Sequence, residues 1–72
     1  MNEPVIIRKN SRESYRVAWE TFEGREFLDL RIYYEAGSGE LKPTRKGVAI
    51  NRAALPEIIA ALKAAQGIGG DA

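Results

Sequence analysis

The chain has 72 residues, eleven of them Lys or Arg and ten Asp or Glu, which gives a formal net charge of +1, and it contains neither Cys nor His. The missing cysteine excludes disulfides, thiolate metal sites and cysteine nucleophiles. Without histidine, a general acid or base would have to be a carboxylate or a lysine with a strongly shifted pKa. We therefore expect a protein that is not an enzyme and needs no cofactor.

A chain of this length predicts one domain, which we place at residues 1–67, with residues 68–72 as a disordered tail. Below roughly 70 to 80 residues, a single core seldom supplies more than about 3 to 5 kcal/mol, so a further source of stability is expected. The longest apolar runs, residues 4–7 and 58–62, are too short to span a bilayer or to form the core of a secretory signal. We expect a cytoplasmic protein without a membrane partner, and association with the nucleoid fits that location.

The first part of the chain predicts two β-strands. Residues 5–9 are apolar at first and basic at the end, which favours a short strand, and residues 10–13 form a polar turn. Residues 14–22 follow with the period of two that is typical of a half-buried strand. One face of this strand carries Tyr15, Val17 and Trp19, and the other carries Arg16, Ala18 and Glu20.

A third and a fourth strand are predicted next. Residues 23–25 make a connection of hairpin length, and residues 27–34 are rich in β-forming side chains. We place one face of this third strand, with Leu28, Leu30 and Ile32, in the core, whereas the other face carries Asp29, Arg31 and Tyr33. Residues 36–40 predict a flexible loop, and residues 48–51 a fourth, short strand.

A helix is predicted after Asn51, which is a good helix cap. The sequence that follows has the spacing of an amphipathic helix, with apolar positions at Leu55, Ile58, Ile59 and Leu62. Pro56 forfeits a backbone hydrogen bond, so the helix either tightens there or begins nearer Pro56, and Gly67 is expected to end it. Alanines widen the apolar arc beyond what one sheet face needs, which would permit close approach by a second helix.

These elements predict an α+β fold, in which a four-stranded antiparallel sheet is followed by one helix. Positive charge is concentrated in residues 42–63, which hold five cations and one anion. The densest part is a bend that contains Pro43 and Gly47 and the cations Lys42, Arg45 and Lys46. This basic bend is either a solvated turn whose charges keep an edge strand from aggregating or a surface for backbone phosphates.

The block FEGREFLDLRIYYEAGSGELKPTRKGVAIN, residues 22–51, resembles the single-stranded-DNA-binding domain of the positive cofactor four family of transcriptional coactivators. The shared pattern is an aromatic residue, a short Gly turn, a strand with Asp and Arg, and an aromatic strand end. A Gly-Glu-aliphatic-Lys-Pro bend and Arg-Lys-Gly then precede the last strand. The similarity covers about residues 14–65 and is that of a compact prokaryotic or phage-type member.

The resemblance implies a curved sheet and a helix paired into a homodimer, with a single strand of nucleic acid in a groove formed by both subunits. It implies that bases stack on Phe22 and Tyr34. It also assigns the backbone phosphates to five cations, which are Arg25, Arg31, Lys42, Arg45 and Lys46. Stacking tolerates any base, and such cations hold a strand without reading its sequence. A dimer would also account for the small core and the wide apolar arc of the helix.

Several features of the sequence complicate this picture. Glu23 stands where the family often has Lys, and Tyr34 where Trp is common, and both departures suggest weaker binding. Arg31 and Tyr34 have opposite parity in a regular strand, so they reach one surface only if that strand bulges or twists. Further contacts from the first strands are in a register that the sequence does not fix; the residues concerned are Arg8, Arg12 and Arg16.

Each prominent side chain also has a structural interpretation. The alternative for Tyr34 is that it closes the core beneath the helix, and for Phe22 that it is a buried cap beside its turn. We interpret Trp19 as a packing residue. Asp29 is interpreted as an orienting partner for a neighbouring cation, because a lone aspartate has no supporting base or metal for catalysis.

The sequence thus predicts sequence-tolerant binding of single-stranded nucleic acid by a homodimer, in transcription regulation, replication or repair, with the transcription machinery as a further partner. The alternative is a protein-interaction adaptor that docks an acidic partner such as polymerase through its sheet edge or basic face. Stacking and phosphate contacts suit DNA and RNA alike. Whether binding activates, represses or protects is not encoded in these patterns.

Overall fold

Four antiparallel strands and one helix make up residues 3–69, the part of the chain that the computed structural model describes. The elements are β1 (Val5–Arg8), β2 (Glu13–Phe22), β3 (Arg25–Glu35), β4 (Leu41–Asn51), a 3-10 turn (Arg52–Ala54) and helix α1 (Leu55–Gly69). Each strand pairs with its neighbour in the chain, in the order β1-β2-β3-β4. The predicted architecture, a curved four-stranded antiparallel sheet followed by a C-terminal helix, is confirmed.

Strand pairing confirms the two predicted alternations. β2 and β3 pair without interruption from Glu13 opposite Tyr34 to Phe22 opposite Arg25. Residues directly opposite each other share a face of the sheet, so the register defines two faces. The apolar face includes Tyr15, Val17, Trp19, Leu28, Leu30 and Ile32, and the polar face includes Arg16, Ala18, Glu20, Asp29, Arg31 and Tyr33.

A two-residue turn joins β2 to β3. Glu23 and Gly24 both have positive φ, 53° and 77°, which is the requirement of a type I′ hairpin turn. Glycine adopts this conformation freely, whereas Glu23 is held in a region that L-residues seldom occupy. Arg25, which the sequence placed in the connection, instead begins β3.

β4 is longer than predicted, because it begins at Leu41 and not at residue 48. The basic bend therefore lies inside a strand. Its pairing with β3 is interrupted between Arg31 and Tyr33, where residues 44–46 of β4 lie opposite a single residue of β3. We call residues 44–46 the irregular segment of β4. Despite this interruption, the segment remains part of β4, which is continuous from Leu41 to Asn51.

The start of the helix follows the prediction. The Oδ1 atom of Asn51 accepts a hydrogen bond from the backbone N–H of Ala54 at 2.9 Å, so Asn51 is the cap. The α-helix proper begins at Leu55, which places Pro56 in its first turn. Proline is tolerated in the first turn of an α-helix, and here the carbonyl oxygen of Arg52 accepts from the N–H of Leu55 instead.

The prediction that Gly67 ends the helix was wrong, because α1 continues to Gly69. A helix-ending glycine normally adopts positive φ, and Gly67 does not. Ile68 is therefore helical and not part of a disordered tail, and residues 70–72 of that expected tail lie outside the described residues. No helix in the described part of the chain is long and apolar enough to cross a membrane.

The core of a single copy is thin. Of the apolar residues that the structure describes, only Ala18 and Ile50 are buried, and Ala18 lies on the polar face. The prediction that Leu28, Leu30 and Ile32 lie in the core was wrong for a single copy, because little of α1 covers their face and they are only half-buried. Helix α1 makes little contact with the sheet, and the 3-10 turn is the element that contacts β3. Leu62 is consequently 61% exposed. Much of the apolar face and the outer turns of the helix are thus left uncovered.

Arg52 holds the junction between sheet and helix. Its guanidinium carbon lies 4.2 Å from the centre of the Trp19 ring, and its Nη2 donates to Oε1 of Glu26 at 2.8 Å. Trp19 lies half-buried on the apolar face, in agreement with its interpretation as a packing residue. The cation–π contact and the ion pair fix the point at which the chain leaves the sheet.

Candidate nucleic-acid interface

The residues predicted to bind nucleic acid lie on two faces of the sheet. Because β3 pairs with β2 without a break, Arg31 and Tyr34 lie on opposite faces. The irregularity that could have brought them together is in β4, where it leaves the alternation of β3 intact. The polar face carries Phe22, Arg25 and Arg31, whereas Tyr34, Lys42 and Lys46 lie together on the side of the apolar face.

Phe22 and Arg25 form a small exposed pair at the β2–β3 hairpin. They are directly opposite each other, on either side of the turn. Phe22 is 66% exposed, so it is not the buried cap that was its alternative. Arg25 is also exposed, and its side chain has no hydrogen-bond or ion-pair partner among the described residues. An exposed ring beside an unpaired guanidinium suits a base and its phosphate.

Tyr34 lies near the end of β3, between Glu13 of β2 and Lys42 of β4. Tyr34 is 41% exposed and borders an open cavity of about 400 Å³ against the turn at residues 10–13. This exposure argues against the alternative in which Tyr34 closes the core beneath the helix. The ring is instead available to a ligand, with Lys42 beside it.

The basic bend presents three exposed cations along β4, which are Lys42, Arg45 and Lys46. Within residues 3–69 their side chains have no hydrogen-bond or ion-pair partner. Lys46 borders an apolar hollow of about 230 Å³, which Tyr15, Ile32 and Val48 also line. Unpaired cations on one edge strand create a local positive potential, although the net charge of the chain is only +1.

Glu13 lies opposite Tyr34 in the sheet, and its carboxylate is held by its own turn. Nδ2 of Asn10 donates to Oε1 of Glu13 at 2.8 Å, and Nζ of Lys9 donates to the same oxygen at 3.3 Å. These two hydrogen bonds, and then the charges of Lys9 and Lys46, lower the pKa of Glu13. Lys9 is therefore paired, and Glu13 stays anionic beside Tyr34 at neutral pH.

The structure fixes the register of the three arginines whose contribution the sequence left open. Arg8 donates through Nη1 to the carbonyl oxygens of Asn10 and Ser11 at 3.1 and 3.3 Å. Arg16 pairs with Glu20 at 3.2 Å and lies 5.2 Å from the ring centre of Tyr33. The side chain of Arg12 is exposed and, among the described residues, has no such partner. Arg12 alone of the three resembles the unpaired cations of β4.

Arg31 is bound internally by Asp29. Its Nε and Nη2 donate to Oδ2 and Oδ1 of Asp29 at 3.1 and 2.9 Å, and its Nη1 donates to the carbonyl oxygen of Thr44 at 3.1 Å. Asp29 is only 6% exposed, and its hydrogen bonds raise the pKa of Arg31. The prediction that Asp29 orients a neighbouring cation is confirmed. Three of the five N–H donors of Arg31 are thus used within the protein.

Thr44 and Gly47 organise the irregular segment of β4, and the sequence did not single out Thr44. Oγ1 of Thr44 donates to the carbonyl oxygen of Ile32 at 2.8 Å and accepts from the backbone N–H of Lys46 at 3.1 Å. A Cβ atom on Gly47 would lie 2.8 Å from the carbonyl oxygen of Leu30, so only glycine lets β4 approach β3 this closely. A threonine inside a predicted bend is a recognisable signal, because its hydroxyl often bonds nearby backbone groups.

No group of three or more acidic residues that could hold a metal ion occurs in residues 3–69. Every buried side-chain nitrogen or oxygen in that range has a hydrogen-bond partner. Apart from Arg31, the predicted site residues are exposed rings and exposed Lys and Arg side chains.

Comparison with solved structures places this fold among known ones. A PC4 homologue from Burkholderia pseudomallei K96243 is similar in two crystal forms. The orthorhombic form has a TM-score of 0.83 at 26% sequence identity, over 86% of this chain and 84% of that chain. The tetragonal form has a TM-score of 0.81 at 25% identity, over 89% of this chain and 96% of that chain.

A phage protein has the same fold. It is the bacteriophage T5 homologue of the eukaryotic transcription coactivator PC4, implicated in recombination-dependent DNA replication. Its TM-score is 0.75 over 94% of this chain and 80% of that chain, at 16% identity, a level at which the likeness concerns the fold alone. Among curated proteins, none matches the chain significantly.

Sequence comparison identifies the family. A family model described as Transcriptional Coactivator p15 (PC4) matches residues 9–61, which is most of the chain. The resemblance to the positive cofactor four family, in a compact prokaryotic or phage-type form, is thereby confirmed. The chain belongs to the PC4 family of DNA-binding transcriptional coactivators.

Proposed function

We propose that this chain is a non-enzymatic, sequence-tolerant binder of single-stranded DNA, which acts as a homodimer in transcription regulation, replication or repair. One observation carries the proposal: three unpaired cations of β4 lie on the same strand, and one of them, Lys42, lies directly beside the exposed ring of Tyr34. Membership of a family of DNA-binding coactivators supports the same class of ligand. The transcription or replication machinery is a further partner in this proposal.

In this proposal the cations neutralise backbone phosphates and the rings stack on bases. The phosphate contacts come from Arg25, Lys42, Arg45 and Lys46, and from the two N–H donors of Arg31 that Asp29 and Thr44 do not use. The stacking contacts come from Phe22 and Tyr34, each worth about 1 to 3 kcal/mol per base. A duplex binds poorly, since its bases are already stacked and cannot lie on protein rings.

A second copy of the chain is part of the proposal for two physical reasons. A single copy leaves Leu62 and much of the apolar face exposed. In addition, an apolar hollow of about 540 Å³ lies along α1, where Leu55, Pro56 and Ile59 contribute to its lining. An apolar helix surface of this kind packs well against an identical surface across a two-fold axis.

Fluorescence anisotropy tests the binding. A labelled oligo-thymidine strand, its duplex and an oligo-uridine strand are titrated at several salt concentrations. We expect a preference for the single strands, with log affinity falling by about 0.7 per neutralised phosphate for each log unit of salt. Phe22→Ala and Tyr34→Ala should each weaken binding by about five- to 150-fold, from the stacking energy above.

Matched variants separate specific contacts from bulk charge. Lys42→Ala should lower the salt dependence, whereas Lys63→Ala, which removes an equal charge from α1, should not. Because Lys63 borders the hollow assigned to the second copy, this control variant has to sediment like the wild type. Absence of binding to every oligonucleotide at low salt would refute the proposal. That result would favour the protein-interaction adaptor, in which the same basic surface docks an acidic partner.

Sedimentation tests the homodimer. Leu62→Glu puts a charge on the exposed apolar side of α1 and should dissociate the dimer without unfolding a copy. Ala64→Glu, on nearly the opposite side of the same helix, is the control and should leave association unchanged. A wild-type protein that sediments as a monomer at micromolar concentration would exclude the homodimer.

A further inference from the structure

We infer that Thr44 is a positioning residue that makes the irregular segment of β4 into a phosphate-binding surface. Arg31 and Asp29 support it from β3. This inference rests on the proposed single-stranded-DNA binding and goes beyond it, since Thr44 contacts no ligand itself. Its role is to hold the main chain from which the cations of the basic bend project.

The irregular segment needs such a residue. It places three residues of β4 opposite one residue of β3, and a strand with extra residues loses regular ladder bonds and can adopt other registers. Thr44 replaces the lost bonds. Its Oγ1 bridges the carbonyl oxygen of Ile32, at 2.8 Å, and the N–H of Lys46, at 3.1 Å, while its own carbonyl oxygen accepts from Arg31 at 3.1 Å.

The bonds of Thr44 act on the residues that carry positive charge. Lys46 is bonded to Thr44 directly through its backbone N–H, and Arg45 is enclosed between the two. Holding this main chain in one conformation fixes where the flexible Lys and Arg side chains begin. Preorganisation of that kind raises affinity because less ordering remains to be done when the ligand binds.

The hydrogen bonds of Thr44 connect it to a rigid group in β3, formed by Arg31 and Asp29. Arg31 is fixed by two hydrogen bonds to Asp29, whose carboxylate is nearly buried, and the close approach at Gly47 keeps β4 against Arg31. A chain of bonds therefore runs from a buried carboxylate through Arg31 and Thr44 to the N–H of Lys46. Arg31 thus helps to hold the main chain of the irregular segment through its bond to Thr44. Its two remaining N–H donors stay free to contact a phosphate.

The experiment compares three threonine variants in oligo-thymidine binding across a salt series. Thr44→Val removes the hydroxyl and keeps the β-branched shape, whereas Thr44→Ser keeps the hydroxyl. Thr21→Val makes the same chemical change at an exposed β2 position whose side chain makes no hydrogen bond within residues 3–69. Melting temperatures at equal protein concentration report on stability separately from binding.

We expect Thr44→Val to weaken binding and to reduce the slope of log affinity against log salt by about 0.7, as for the loss of one phosphate contact. Thr44→Ser and Thr21→Val should keep the wild-type slope. When Lys46→Ala is already present, Thr44→Val should weaken binding less than it does in the wild type, because part of its action passes through Lys46.

An unchanged slope in a folded Thr44→Val protein, or equal losses with and without Lys46→Ala, would overturn the inference while leaving the proposed function in place. If the wild type binds no oligonucleotide, the proposed function fails instead. If Thr44→Val does not fold, the inference is tested instead by the rate of hydrogen exchange at the backbone N–H of Lys46 in the wild type. An N–H of Lys46 as protected as the regular β4 amides supports the inference, and one that exchanges like an exposed amide overturns it.

Discussion

Replacing Gly47 by alanine should destabilise the sheet, because β4 approaches β3 more closely there than a side chain allows. The added Cβ would lie 2.8 Å from the carbonyl oxygen of Leu30, 2.9 Å from the Cα of Arg31 and 3.0 Å from its Cβ. These atoms belong to the backbone of β3 or are attached directly to it, so no side-chain rotation relieves the contacts.

The magnitude follows from the distance by which the strands must separate. Ordinary Cβ contacts begin at 3.4 Å, so 2.8 Å has to grow by 0.6 Å. Overpacking of this kind typically costs about 1 to 3 kcal/mol. In a domain of this size, each kcal/mol lowers Tm by about 4 to 8 °C, so a cost of about 2 kcal/mol predicts a fall of about 8 to 16 °C.

Thermal unfolding followed by circular dichroism checks this prediction. The protomer concentration is kept equal for all variants, because association would make Tm depend on it. Gly37→Ala is the matched control: an added Cβ meets nothing within 4 Å there, and φ at Gly37 is not positive. A Gly47→Ala protein that melts within 2 °C of Gly37→Ala would show that β3 and β4 are not packed as described.

Three further substitutions test other parts of the structure. Arg52→Ala should lower the free energy of unfolding by about 1 kcal/mol and change Trp19 fluorescence, since it removes a cation–π contact and an exposed ion pair; Glu26→Gln, which breaks the ion pair alone, should do less. Asn51→Ala should cost about 0.5 to 2 kcal/mol in urea unfolding through loss of the cap, and Asn51→Asp should restore most of it. Glu13 has a lowered pKa in the folded state, so its stabilising contribution is present above the ordinary glutamate value of 4.5 and is lost as pH falls through the lowered folded value. The Tm difference between wild type and Glu13→Gln should therefore shrink on acidification below pH 4.5, and a constant difference would contradict the assigned hydrogen bonds.

The parts of the fold that could be predicted are those that repeat along the chain. The alternation in residues 14–22 and 27–34 correctly predicted which residues of β2 and β3 share a face, because side chains alternate along a strand. It did not predict burial, since the buried residues of these two strands, Ser14, Ala18 and Asp29, lie on the polar face. Asn51 was likewise recognisable, since a cap depends on a bond only three residues away. Both signals, the local periodicity and the local hydrogen bond, depend on residues that are close together in the sequence.

The irregular segment of β4 could not be predicted in the same way, because it depends on contacts between strands. Pro43 and Gly47 are typical of a turn, and the sequence was interpreted as one. In the structure Gly47 provides close approach to β3, and Thr44 is bonded to Ile32, which lies 12 residues earlier in the chain. Neither contact is visible until the register of β3 and β4 is known.

For the candidate site too, local patterns were predictable from the sequence, whereas features that depend on contacts between strands were not. The opposite parity of Arg31 and Tyr34 was deduced correctly from alternation, whereas the bulge that would have reconciled them lies in the neighbouring strand. Exposure of Phe22 and Tyr34 could not be deduced from the sequence, because it depends on which parts of the fold pack against each side chain. The contacts of these residues with DNA stay a prediction.

The proposed homodimer connects the stability of the chain to its function. One copy presents Phe22 and Tyr34 on opposite faces, so a strand that stacks on both has to pass around an edge of the sheet or to meet rings from two copies. One copy also leaves the outer turns of α1 uncovered, in a domain too small to tolerate much exposed apolar area. A two-fold pairing through the helix would bury that area and bring two sets of rings and cations into one groove. On this reasoning, dilution that separates the copies should reduce single-strand affinity and thermal stability together, and a loss of one without the other would show that the two properties have separate origins.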